Sequence, residues 1–95
     1  MYQNPAIKVL TAIRASQAIM TFPANTLRFA ISAQKSTAVV KFSWTANVVS
    51  GASGTIFYIP PKTIFDQSNL RMPEKQIYVS VTGVATSPVS ILYWK

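Results

Sequence analysis

Apolar and polar residues alternate with a period of two along most of the chain, as in β-strands with one buried face. In TLRFAIS, the segment 26–32, this pattern places Leu27, Phe29 and Ile31 on one face. TAVVKFSWTA and QIYVSVTG alternate in the same way, and both are rich in the β-branched and aromatic residues that strands favour. The predicted core consists of Leu27, Phe29, Ile31, Val40, Phe42, Trp44, Ile77, Val79, Val81 and Ile91.

Turn-forming segments separate these predicted strands. SAQKST, VVSGASG, DQSNLRMPEK and TGVATSP are rich in the Gly, Pro, Ser, Asn and Asp residues that turns require. Several short strands at this spacing, without alternating helical segments, are typical of a sandwich or a small barrel. The pattern therefore predicts an all-β fold, a small antiparallel β-sandwich of roughly six to eight strands. A chain of 95 residues suits a single domain, residues 1–95.

The N-terminal segment AIKVLTAIRASQAIM has two interpretations. It fits an amphipathic helix with Ile7, Leu10, Ile13 and Ala18 near one side, and it also fits two strands joined by a turn at RASQ. The strand interpretation places four residues on one face: Ile7, Val9, Thr11 and Ile13. It is favoured because Ile, Val and Thr are mediocre helix formers and the rest of the chain predicts strands. Residues 1–24 would then form an N-terminal arm or a first hairpin.

Two adjacent prolines interrupt the apolar stretch GTIFYIPPKTIF, residues 54–65. Because proline has no N–H to donate to a β-ladder, the strand that begins at Thr55 must end, or lie at a sheet edge, by Ile59. The following residues, KTIFDQSNLRMPE, are predicted to form a loop with apolar content of its own.

That loop also has two interpretations. It folds back over an open end of the core, or it is an apolar arm that contacts a neighbouring subunit. The arm interpretation gains support from composition, since 49% of the residues are hydrophobic and a domain of this size leaves part of its apolar surface uncovered. The candidate intersubunit contacts are Ile59, Pro60, Pro61, Ile64, Phe65, Leu70 and Met72.

The chain is strongly basic, with a formal net charge of +7 from nine Lys and Arg against two acids. This balance attracts anionic partners such as nucleic acid, acidic protein surfaces or membranes. The basic residues are spread singly along the sequence, which also fits solvated charges on strand faces and edges. They are Lys8, Arg14, Arg28, Lys35, Lys41, Lys62, Arg71, Lys75 and Lys95.

The sequence holds few groups that could carry chemistry. Histidine and cysteine are absent, and the two acids are Asp66 and Glu74. Lys35 and Ser36 could be drawn as a catalytic pair, but neighbouring residues of a strand point to opposite faces. SGASG predicts a hairpin turn and not a phosphate-binding loop, because a strand follows it. We therefore expect a non-enzymatic protein with no catalytic residues, no cofactor-binding residues, no metal site and no cofactor.

Membrane association and export by a signal peptide are not expected. The apolar runs are short and interrupted by Lys, Arg, Ser and Thr, so no membrane span is predicted. The N-terminus lacks a basic region followed by an unbroken apolar core.

Nucleic-acid binding is the less favoured alternative, as a small basic OB-like protein that binds single strands. Such proteins stack bases on aromatic residues of a basic sheet face. Phe42 and Trp44 alternate with Lys41, so the aromatic residues and the cation are predicted on opposite faces.

Two segments, GTIFYIPPKTIF and QIYVSVTGVATSPVSILYWK, carry a resemblance to a known class. Together with the lack of His and Cys, they resemble small structural proteins of tailed-bacteriophage virions, namely capsid decoration (cement) proteins and related head-associated β-sandwiches. The resemblance implies a virion location, homo-oligomers, no active site, and binding to the major capsid protein or other virion proteins. A tail, neck or fibre component of a virion is the alternative within the same class.

Overall fold

The computed structural model describes residues 6–33 and 37–95, which form eight strands and no helix. In chain order the strands are β1 Ala6–Ile13, β2 Ala18–Phe22, β3 Arg28–Ala33, β4 Val39–Ser43, β5 Phe57–Ile59, β6 Ile64–Gln67, β7 Lys75–Thr82 and β8 Thr86–Trp94. The predicted all-β class is confirmed. Within these residues there is accordingly no helix of the length and apolarity that crossing a membrane would need.

The strands form two four-stranded antiparallel sheets, and their pairing follows a nested order. One sheet has the order β1-β8-β3-β6 and is called the β1 sheet here, while the β2 sheet has the order β2-β7-β4-β5. The pairs β1–β8, β2–β7, β3–β6 and β4–β5 enclose one another along the chain, like a long hairpin folded over on itself. Eight strands connected in this way form a jelly roll, a sandwich of the predicted kind.

The core lies between the inner faces of the two sheets. The predicted core residues are confirmed as buried, apart from Leu27 and Trp44. Trp44 is partly buried and packs against the core. Leu27 is 45% exposed, so its placement in the core is wrong. It precedes β3 and exchanges backbone hydrogen bonds with Trp94 and Leu70, so it lies outside the alternation that begins at Arg28.

The N-terminal segment forms two strands, as the favoured interpretation predicts. β1 and β2 join opposite sheets, so they do not pair with each other as a first hairpin would. The predicted strand face with Ile7 and Val9 points to solvent, whereas Leu10 and Ala12 are buried. The chain crosses between the sheets after Ile13, whose carbonyl oxygen accepts a 2.8 Å hydrogen bond from the hydroxyl of Ser80.

The prolines act as predicted. β5 ends at Ile59, immediately before Pro60, and it lies at the edge of the β2 sheet. The prediction of a loop beyond the prolines is wrong in part, because residues 64–67 form β6 and pair with β3. A reversal at Lys62, with φ of +57°, brings Thr63 close enough for its carbonyl oxygen to accept a hydrogen bond from the N–H of Ala33. Four residues were too few for the alternation to reveal this edge strand.

Candidate functional site

The two outer faces of the sandwich differ in chemistry. The outer face of the β2 sheet presents mostly hydroxyl, amide and amino groups, from Thr21, Lys41, Tyr58, Gln76, Tyr78 and Thr82. The outer face of the β1 sheet, called the apolar face here, is formed largely by Ile7, Val9, Ile13, Ala30, Ile64, Pro88, Leu92 and Trp94. A solvent-facing sheet surface normally resembles the first of these and not the second.

The apolar residues are continuous from β1 to β3, whereas Ile64 on β6 is separated from Val9 by two serines, Ser32 and Ser90. Ile7 lies opposite Leu92, which lies opposite Ala30 in the next strand. The exposed fractions are 65% for Ile7, 60% for Val9 and 64% for Ile64 at the far edge. Single exposed apolar residues are common on protein surfaces, but a contiguous apolar patch marks an interaction site.

The apolar face carries one ion pair, Arg28 with Asp66. The guanidinium donates two hydrogen bonds to the carboxylate, at 2.7 and 3.1 Å, and lies 4.5 Å from the centre of the Trp94 ring. These hydrogen bonds hold the pKa of Asp66 below its usual value, and they raise the pKa of Arg28. The two charges cancel, so the apolar face is locally neutral on a chain of net charge +7.

Acidification tests this ion pair. Since the pKa of Asp66 is lower in the folded chain than in the unfolded chain, the pair stabilises the fold above the unfolded value near 3.8. That stabilisation is lost as the pH falls through the folded pKa. We expect Asp66→Asn to remove this part of the pH dependence in urea unfolding measured between pH 2 and 7. The effect is small and weakens with salt, because both side chains are nearly half exposed. An unchanged pH profile would contradict the pairing.

A second feature is a cleft of about 370 Å³ between the edges of the two sheets, called the aromatic cleft here. Five aromatic residues line it: Phe29, Phe42, Trp44, Phe57 and Phe65. They pack against one another, with Phe42 stacked on Phe57 at 5.0 Å and edge-on to Phe65 at 5.1 Å. The segment 70–73 closes one side of the cleft.

Two cations, Arg71 and Lys75, line the same cleft. The ammonium group of Lys75 lies 4.6 Å from the centre of the Trp44 ring. Arg28 with Asp66 is the one ion pair of the described residues, so neither cation forms an ion pair with Asp66 or with Glu74, the acid that precedes Lys75. The cleft therefore joins an apolar interior to two positive charges.

The candidate intersubunit residues fall into different environments. Ile59 is a core residue with 1% exposure, whereas Pro60 is exposed, Pro61 is half-buried and Ile64 lies on the apolar face. Phe65 points into the aromatic cleft.

The remaining two candidates, Leu70 and Met72, are partly buried and pack against the core of their own chain. Their N–H groups donate to the carbonyl oxygens of Leu27 and Thr26, at 2.9 and 3.1 Å. Residues 70–72 are thus folded back over one end of the sandwich. An intersubunit role stays a prediction, for which Ile64 has the most suitable position.

The other residues considered for catalysis or ligand binding in the sequence are Lys35, Ser36 and the segment SGASG. Lys35 and Ser36 lie outside the described residues. SGASG lies in the connection between β4 and β5, which pair as an antiparallel hairpin. Among residues 6–33 and 37–95, no three His, Cys, Asp or Glu side chains lie together as metal ligands would.

Sequence reasoning missed the aromatic cleft. The alternation identified Phe42 and Trp44 as apolar neighbours of Lys41, which points to the outer face of the β2 sheet. The cations that do reach the aromatic residues, Arg71 and Lys75, come from a distant part of the chain. The signal in the sequence was that they are the first and last residues of a short turn segment, RMPEK.

Comparisons of this chain with models of known families, with curated proteins and with solved structures found no match.

Proposed function

We propose that this protein is a non-enzymatic structural protein of a virion, a capsid decoration protein that stabilises a phage head through subunit contacts. The apolar face carries the proposal. Three exposed aliphatic side chains on β1 and one on β6 remain in water in the isolated chain. They are 48–65% exposed, so burying the remainder of each would contribute about 1–2 kcal/mol, and a partner surface that covers them would stabilise the assembly.

A second copy of the chain is the partner that the charge distribution favours. Two chains of net charge +7 repel each other over most of their surfaces. The apolar face is the place where this repulsion is smallest, because its one cation, Arg28, is already paired with Asp66. β1 is also an edge strand of eight residues without proline, and its one cation, Lys8, lies on the opposite face of the strand from Ile7 and Val9.

The virion setting is supported by fold and charge together. Jelly rolls occur in viral capsid proteins, and also in lectins and cupins, so the topology alone does not assign a function. A basic oligomer would dock with electrostatic help on an acidic capsid lattice built by the major capsid protein. The resemblance of the segments 54–65 and 76–95 to phage head proteins points the same way. A tail, neck or fibre role would use the same face.

Introducing a charge on the apolar face tests the assembly. We expect Val9→Lys to convert the oligomer to monomers, because the new ammonium group would have to be buried at the subunit interface. The matched control is Ile19→Lys, which places the same charge on the outer face of the β2 sheet at a residue that is 49% exposed. Light scattering measures the mass of each variant, and co-sedimentation with empty phage capsids measures attachment.

The control variant is expected to keep the oligomeric mass of the original protein. If the original protein is itself a monomer at high concentration, or if both variants behave alike, the apolar face is not the assembly surface. If oligomers form but do not co-sediment with any capsid, the apolar face remains the assembly surface and the decoration role is excluded.

A further inference from the structure

The aromatic cleft is distinct from the apolar face and has a different chemistry. Its volume of about 370 Å³ lies within the range of small-molecule sites, which run from roughly 300 to 1,000 Å³. Its interior is aromatic, with Phe57 40% exposed and Trp44 and Phe65 partly buried. Exposed ring surface of this kind accepts a flat apolar group by stacking or edge contact.

The charged side chains that line the cleft are all positive. Arg71 and Lys75 both line it, and none of its lining residues is acidic. Asp66 is held by Arg28 on the apolar face, and Glu74 neither lines the cleft nor forms an ion pair with Arg71 or Lys75. An anionic group beside the Trp44 ring would therefore meet two donors without displacing a carboxylate of the described chain.

We propose that the aromatic cleft binds a small, flat, apolar molecule that carries one negative charge, such as an aryl carboxylate. The ring system enters between Trp44, Phe57 and Phe65, and the carboxylate accepts hydrogen bonds from Lys75 and Arg71. The positive charge of the cleft favours this class of ligand over neutral apolar molecules. A nucleic-acid strand would instead need cations that follow a backbone past successive stacking residues, and this cleft offers two cations at one place.

The test uses 2-naphthoate as the ligand and the full-length chain. Isothermal titration calorimetry measures the affinity, and ¹⁵N–¹H NMR spectra locate the binding through the indole N–H of Trp44. We expect Lys75→Gln and Arg71→Gln each to weaken binding about tenfold, which corresponds to the loss of one charge-assisted hydrogen bond. Lys41→Gln removes the same charge from the outer face of the β2 sheet and should leave the affinity unchanged.

A second pair of variants tests the apolar part of the cleft. Phe57 lines the cleft, whereas its neighbour Tyr58 is 61% exposed on the outer face of the same strand. We expect Phe57→Ala to weaken naphthoate binding and Tyr58→Ala to preserve it, with circular dichroism confirming that each variant is folded. Val9→Lys should bind naphthoate normally, which separates this site from the assembly surface.

Three results would overturn the proposal. The first is equal affinity for 2-naphthoate and its neutral analogue 2-naphthamide, since the cations would then play no part. The second is an absence of binding, or shifts in the NMR spectra away from Trp44. The third is tighter binding of a single-stranded oligothymidylate that depends on Arg71 and Lys75, which would assign the cleft to nucleic acid.

Discussion

Replacing Phe42 with alanine is expected to lower the free energy of unfolding by about 3–5 kcal/mol. Phe42 is 1% exposed and lies between the two sheets, where its ring contacts those of Trp44, Phe57 and Phe65. The substitution removes both its buried area and these ring contacts. The surrounding strands cannot close the space, because each is fixed by hydrogen bonds to its neighbours in a sheet.

Urea unfolding followed by far-UV circular dichroism measures this effect. Phe57→Ala serves as the comparison, because Phe57 faces Phe42 in the adjacent strand but is 40% exposed. We expect its effect to be clearly smaller than that of Phe42→Ala. A nearly neutral Phe42→Ala would mean that the ring is not part of a packed core, and it would also weaken the description of the aromatic cleft.

Alternation predicted the central strands well because both of their neighbours are strands. In β7 the residues Ile77, Val79 and Val81 are all fully buried, as the pattern requires. The same reasoning failed at Leu27, because the period of two was extended to a residue that precedes the first residue of β3, Arg28. It also missed β6, a four-residue edge strand whose pairing with β3 depends on the turn at Lys62.

In β1 the alternation of side chains leaves the buried face undetermined. Alternation establishes that Ile7 and Val9 share a face opposite Leu10 and Ala12, but it does not say which face is inside. The larger, β-branched residues of the first face would ordinarily be assigned to the core. In the structure they face outward. Departures of this kind from a local rule are expected at functional surfaces, which is consistent with the proposed assembly role of this face.

The aromatic cleft could not have been derived from spacing in the sequence. Its lining comes from β3, β4, β5 and β6, Trp44 immediately after β4, the segment 70–73 and the first residue of β7. Trp44 and Lys75 come together because β4 and β7 are neighbours in the β2 sheet. Only the strand order places them side by side, and the sequence pattern does not fix that order.

Substituting Gly83 with alanine is expected to destabilise the fold by about 2–4 kcal/mol. Gly83 lies in the turn between β7 and β8, where its φ of +89° is unfavourable for a residue with a side chain. An added Cβ would also lie 2.5 Å from the carbonyl oxygen of Thr37, so the backbone must move. The turn joins the central regions of the two sheets, and a shift there disturbs the pairing of both strands.

Gly51→Ala is the matched control for this substitution. Gly51 also has a positive φ, +134°, but nothing lies within 4 Å of the position that its Cβ would take. It should therefore show the backbone strain alone, about 1 kcal/mol, so the difference between the two variants measures the contact with Thr37. Thermal and urea unfolding of both proteins give that difference. Equal effects would show that the turn at Gly83 relaxes away from Thr37, and that the close approach between these two segments is not needed for the sandwich to form.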